Sequence, residues 1–352
     1  MKKHFFLLSF VLALLLAGGI TAVSQAQSPA QTAAAWLAAT HQNSDGGYAS
    51  FSSGAGAAPS DVGGTVDALL ALGSAAADVR VPLDHLRQRP DDLVAYAAAD
   101  GGSAGKLILA LNAAGADPRD FAGGDFVAQL QDQLAPDGSY AVFNAFGQAL
   151  AILGLSAAGE PVPETAVAYL TALQATGGDL DGSWDDGFGT AGNVDATALA
   201  LMALRAAGAA PDDPAIARAA AFLARVQLPG GGWEYAAGFG ENANSTALAI
   251  QALRANDADA AQPLNALLGW QSASGAFQAD FGSGRFDDFY ATVQALPAAA
   301  GWGLPFGAAP AAAPAAGSPP AGLMVGIVLA ALLIFILFGF LISRRTRAPG
   351  SQ

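Results

Sequence analysis

Residues 227–253 read QLPGGGWEYAAGFGENANSTALAIQAL, and the order of breaker, ring, loop and apolar run in this stretch decides the fold. Gly230, Gly231 and Gly232 end whatever helix precedes them, and Trp233 follows at once. Asn242, or Asn244 with Ser245, offers a side-chain oxygen to cap a new helix. Beyond the cap, Ala249, Ile250 and Leu253 fall on one side and Leu248, Ala252 and Ala255 on another. A helix that is apolar all round is a buried helix.

The same arrangement recurs on both sides of this stretch. Toward the C-terminus come Trp270, the turn Gly275-Ala276-Phe277 and an apolar run ending at Leu296. Toward the N-terminus, Trp184 precedes the run to Leu204 and Tyr140 the run to Leu153. A degenerate unit with the turn Asp100-Gly101-Gly102 and no aromatic precedes Leu111, and Tyr48 precedes the run to Leu72. The closing leucines lie about 40 to 50 residues apart, the period of a helical-hairpin repeat. Each unit pairs one amphipathic helix with one almost wholly apolar helix. Six apolar helices are shielded without an exposed end only as an inner ring inside an outer one, because an open solenoid needs polar capping units and a solvated inner face. The expectation is an all-α protein, an α/α toroid of six helical hairpins.

The ends read differently. Lys2 and Lys3 precede an apolar run, and small residues follow near Ser24 to Ala26, as in a signal peptide over residues 1–26. The toroid occupies 27–300, and an Ala/Pro/Gly-rich linker occupies 301–322. Residues 323–342 carry no charge and are long enough to cross a bilayer, while 343–352 form a basic tail with Arg344, Arg345 and Arg347. The expectation is an exported single-pass membrane protein, its toroid extracytoplasmic at the cell surface and its tail cytoplasmic. The middle portion keeps all 29 acidic residues and loses five of the 15 basic ones to the two ends, so it is more negative than the −14 of the whole chain. Such a surface excludes nucleic acid as a partner. Cysteine is absent, which excludes disulfides and thiolate metal sites.

Gln, three residues, Gly, one residue and an aromatic occur at Gln42/Gly46/Tyr48, Gln227/Gly231/Trp233 and Gln271/Gly275/Phe277, with looser versions at Gln133/Gly138/Tyr140 and Gln174/Gly182/Trp184. This element resembles the prenyltransferase/squalene oxidase-type repeat of the terpenoid cyclase and protein prenyltransferase superfamily. The resemblance spans roughly residues 31–299. It implies the toroid but leaves the activity open, because one scaffold hosts several chemistries. The zinc site of the prenyltransferases and the thioester of complement-type members both need a Cys, so neither is expected here. Squalene-type cyclases carry a second toroid and begin the reaction with a protonated Asp in an Asp-x-Asp-Asp element. The candidates for such an acid are Asp185, Asp186, Asp287 and Asp288. Cobalamin-transporting members resemble this chain at Asn193-Val-Asp-Ala-Thr197 and Asn242-Ala-Asn-Ser-Thr246, and they add a small β-domain that nothing in 299–322 could form.

Read from the residues, the Gln-Gly-aromatic turns are structural, with the ring filling the gap between hairpins. Asp61, Asn144, Asn193, Asn242 and Asp287 are helix caps. His41 and His85 have no nearby partner in the sequence and read as surface residues. Asp179, Asp181 and Asp185 form an acidic loop that could take calcium, although without the spacing of a calcium-binding helix-loop-helix; no other cofactor is expected. In a toroid all inner helices start at one end, so the loops carrying Trp184, Asn193, Trp233, Tyr235, Asn242 and Phe277 open onto one mouth. The expected function is binding of a neutral or amphipathic ligand, or of an envelope partner, at that mouth without catalysis. The alternatives are a cyclase-like enzyme and a cobalamin-binding protein.

Overall fold

The computed structural model describes residues 27–140 and 144–305. The expected signal peptide, the transmembrane segment 323–342 and the tail 343–352 lie outside the described residues. Among the described residues no helix is long and apolar enough to cross a membrane.

Six buried helices start in the same way. They are α2 (Val62–Ser74), α5 (Gly101–Ala113), α7 (Ala145–Ala157), α9 (Val194–Ala206), α11 (Ala243–Ala255) and α13 (Phe289–Ala299). Each is preceded by an Asp or Asn in extended backbone whose side chain accepts an amide of the first turn, namely Asp61, Asp100, Asn144, Asn193, Asn242 and Asp288. In the last unit the cap is Asp288 and not the expected Asp287. The chain is still extended and paired at Asp287, in β2 (Phe286–Asp287) against β1 (Gln278–Ala279), so helical backbone begins one residue later.

These six helices pack side to side in the order α2, α5, α7, α9, α11, α13, and α13 returns to α2. The ring is therefore closed. Outside it lie α1 (Pro29–Thr40), α4 (Pro90–Ala99), α6 (Phe126–Gln131), α8 (Glu164–Ala172), α10 (Pro214–Val226) and α12 (Ala261–Leu268), with an unexpected extra helix α3 (Arg80–Arg87) in the second unit. The first outer helix packs mainly on the last inner helix, α1 on α13, which fastens the two ends of the repeat.

Each turn aromatic is plugged between hairpins. Tyr48, Tyr140, Trp184, Trp233 and Phe277 are all buried. Their backbone N–H groups donate to a side chain four residues beyond the inner-helix cap. Tyr48 uses Thr65 (3.0 Å), Trp184 uses Thr197 (3.0 Å), Trp233 uses Thr246 (3.0 Å), Phe277 uses Thr292 (2.9 Å) and Tyr140 uses Gln148 (3.1 Å). The degenerate unit has Ala104 at this position and no aromatic to tie. The recurring geometry of the turn also needs its glycine. Gly182 has φ +90°, and a Cβ there would lie 2.1 Å from the Arg218 carbonyl of the next outer helix. The motif glutamine reaches the same neighbour: Gln174 donates to Ala215 O (2.9 Å), and Gln271 donates to Pro29 O (2.8 Å), which sews the sixth unit to the first helix.

Replacing Thr246 with Val keeps the volume and removes the acceptor, leaving the Trp233 N–H buried and unpaired. Thr246→Val is expected to cost about 1–3 kcal/mol, read as a lower urea midpoint. An unchanged midpoint would show that the tie is dispensable.

Candidate functional site

The ring does not close on its own axis. Two hollows of ≈ 570 and ≈ 720 Å³ lie among the starts of the inner helices, and a third of ≈ 180 Å³ lies further along them. The first two share Asp195 and Tyr235, the first and third share Lys106, Phe146 and Leu150, and the second and third share Tyr290 and Gln294, so they form one chamber.

Its floor is polar at one point. Lys106 Nζ on α5 pairs with Asp67 Oδ1 on α2 at 2.8 Å. Burial works against the ammonium, but Asp67 and the Tyr96 hydroxyl outweigh it and raise the pKa, so Lys106 stays protonated. Around this pair the chamber is lined by Leu150, Leu199 and Leu248.

The wall formed by α9 and α11 carries Asp195. Burial pushes its carboxyl up to about 6; the nearby Ser245 hydroxyl works against the rise and the Asp186 charge adds to it. This wall also concentrates buried polar atoms without a hydrogen bond, Asn193 Nδ2, Asp195 Oδ1, Ser245 Oγ and Gln251 Oε1. Buried polar atoms are ordinarily paired, so this wall is unfinished. Asp186 is different. Despite burial, a hydrogen bond from the Tyr235 hydroxyl and bonds from the Phe188 and Thr190 amides hold its pKa below the usual range. Burial and Asp186 together raise Tyr235 to about 12, so it remains a neutral donor.

At the rim, three loops share one construction. Asp186 accepts from the amides of Phe188 and Thr190, Glu234 from those of Gly238 and Gly240, and Asp280 from those of Gly282 and Gly284. Each carboxylate gathers a loop that holds out a phenylalanine: Phe188, Phe239 or Phe281, respectively 80%, 68% and 82% exposed. Phe51 adds a fourth exposed ring from the first unit. All four line the chamber opening. The loop 234–241, read from the sequence as particular to its unit, is one of this set.

Among the residues expected at the mouth, Asn193, Tyr235 and Asn242 line the chamber. Trp184, Trp233 and Phe277 do not; they are buried in the turns, with Trp184 Nε1 donating to Leu170 O and Trp233 Nε1 to Leu223 O. The candidate acids have other tasks. Asp185 is exposed and accepts from Gly187 N, Asp186 is held as a carboxylate, Asp287 is exposed and accepts from Ser274, and Asp288 caps α13. In the acidic loop Asp181 folds back on Gly177 N. Among the described residues no three His, Asp or Glu side chains converge to hold a metal ion, Asp179, Asp181 and Asp185 included. His41 and His85 are both buried, against the surface expectation. His41 packs with tilted rings against Trp36 (4.5 Å) and Phe289 (5.5 Å), and His85 fills the space left by the missing Cβ of Gly47.

Asp195, Lys106 and Asp67 were not singled out. A signal existed: Asn193-Val194-Asp195-Ala196 has the Asp-x-Asp-Asp spacing with Asp at its middle position only, and Lys106 is the one lysine between the ends.

Because burial lifts the Asp195 pKa above its unfolded value, the folded chain binds this proton more tightly. Its ionisation therefore costs stability above about pH 6, and the cost fades as the pH falls toward the ordinary carboxyl range. Asp195→Asn is expected to raise stability at pH 8 by about 1–3 kcal/mol and to change it little at pH 4. Denaturation at both values checks this, and equal effects would refute it.

Residues 128–225 match the squalene-hopene cyclase N-terminal domain. No curated protein matches the chain in sequence. The type II terpene cyclase MstE from Scytonema is similar in structure: its apo form is 17% identical, with 77% of this chain and 96% of that chain covered at a TM-score of 0.57. An MstE variant in complex with geranylgeranyl dihydroxybenzoate, its substrate, is 16% identical, with 77% and 95% covered at 0.57. A protein from Actinoplanes is 16% identical, with 77% and 97% covered at 0.53. The fold is that of the terpenoid cyclase and protein prenyltransferase α/α-toroid superfamily.

Proposed function

We propose that the protein binds an elongated amphipathic ligand of isoprenoid or similar apolar character in the central chamber, held at the outer face of a membrane by the segment 323–342. The observation that carries this reading is the chamber itself, continuous from a rim of exposed phenylalanines, past an unfinished polar wall, to a leucine-lined floor. Rings admit the apolar part, and unpaired groups await a polar one. The binding of a geranylgeranyl compound by MstE supports this class of ligand.

Filling the floor tests the proposal. Leu150→Trp and Leu248→Trp are expected to abolish the thermal stabilisation that a geranylgeranyl amphiphile confers on the wild-type chain. Stabilisation that survives both substitutions would move the site elsewhere.

Asp195 favours a second reading, proton-initiated cyclisation. A carboxyl with a pKa near 6, beside Tyr235 and Phe188, has the environment of a general acid facing rings. Against it stand Asp67 and Lys106 in the same chamber, because a carboxylate and its water trap a carbocation. If the reading holds, Asp195→Asn binds a polyprenyl substrate as the wild type does and yields no cyclised product by mass spectrometry. A wild-type protein that binds the substrate and returns it unchanged removes the enzyme.

A further inference from the structure

We propose that the ligand is an organic cation, an ammonium group on an apolar body, whose charged head sits in the hollow lined by Asp186, Asp195, Tyr235, Phe188 and Phe146. This rests on the reading of the chamber as a ligand site.

The sign of the charge is the first argument. Asp100, Asp186 and Asp195 line the first hollow, and Asp280, Asp287 and Asp288 line the adjoining one. Lys106 is the only basic side chain on the first hollow, and Asp67 already neutralises it. An anion would enter a field of its own sign, and a neutral head would gain nothing from that field. The inner-helix N-termini would favour an anion by their partial charges. Each, however, directs first-turn amides at its own capping residue, and Asp61, Asp100 and Asp288 among those caps are carboxylates.

The second argument is the unfinished wall. Ser245 and Gln251 are buried and line the chamber, and each brings an oxygen, Oγ and Oε1, that accepts no hydrogen bond in the protein. Asp195 Oδ1, close to the Ser245 hydroxyl, has no other partner. Asp195 and Ser245 accept from a donor head, which an ammonium is, while the faces of Tyr235 and Phe188 suit its positive charge. Tyr235 is fixed for this by its bond to Asp186 and by its edge contact with Phe239, at 5.6 Å. Behind the head, Leu150, Leu199 and Leu248 take the apolar body.

Charge states around the hollow identify Asp195 as the group that makes binding pH-dependent. Asp186 is held ionised by Tyr235 and two amides, Tyr235 stays neutral and Lys106 stays protonated. Asp100 faces the same hollow, where its two carboxyl oxygens accept from the Ser103 amide and hydroxyl. Asp195, pushed up by burial, loses its charge as the medium becomes mildly acidic.

The test uses three six-carbon probes that do not form micelles at working concentration: hexylammonium, hexanol and hexanoate. They are titrated calorimetrically into the full-length protein. The ammonium is expected to bind about ten-fold more tightly than hexanol, and hexanoate more weakly than either. The ammonium affinity is expected to fall several-fold between pH 7.5 and pH 5 in the wild type and to stay level in Asp195→Asn, which folds at least as well as the wild type if burial strains the ionised form. Hexanol or hexanoate binding as tightly as the ammonium, or a pH profile unaltered by Asp195→Asn, overturns the cation while leaving a ligand chamber in place. Failure of all three probes, with Leu150→Trp indistinguishable from wild type toward geranylgeranyl amphiphiles, overturns the chamber reading itself.

Discussion

A buried backbone N–H that cannot be left unpaired governs the architecture. The turn between outer and inner helix ends at an aromatic whose ring is buried between hairpins, so its amide is buried as well. In four units a threonine four residues into the next helix accepts that amide, and in a fifth Gln148 does so. The tie sets the angle between each outer strand of chain and the inner helix it feeds. Repetition of one angle around the chain brings α13 back to α2. The second unit, with Ala104 and no ring, is where the outer layer becomes irregular and gains an extra helix.

The chamber follows from closure. Six helices packed only on their neighbours leave space on the axis, and the side chains of their first turns face it. Those turns carry the caps, Asp195, Asn244 and Ser245, so the chamber is polar near its mouth and leucine-lined further in. The same closure gathers the loops of separate units into a rim. Asp186, Glu234 and Asp280 each gather one loop with a phenylalanine at its tip, and the three are distant in sequence. A binding surface of this kind exists only when the ring is complete.

The helices other than α3, the apolar character of the inner six, four of their six caps and the closed toroid were legible in the sequence, because periodicity and turn chemistry act over a few residues. Gly182 and Trp184 are readable as a turn wherever they occur. The candidate site was legible only in part. Trp184 and Trp233 looked like ligand-binding rings, yet their amides and indoles are all paired inside the core, whereas Phe188 and Phe239, a few residues on, face the opening. Composition cannot separate a ring that plugs a gap from one that borders a cavity.

Asp195 marks the same boundary from the other side. Its neighbours in sequence are apolar and its helix reads as pure core, so local pattern assigns it no task. Only the ring, by setting α9 beside α11 and Asp186 beside Tyr235, buries its carboxyl, lifts its pKa and gives it a cavity to face. The sequence by itself determined the repeat, the buried helices and their closure, since each depends on contacts within or between adjacent hairpins. The tertiary structure decided which polar groups meet, because Asp67 with Lys106 and Asp186 with Tyr235 are joined by the circuit of the ring and not by nearness in the chain.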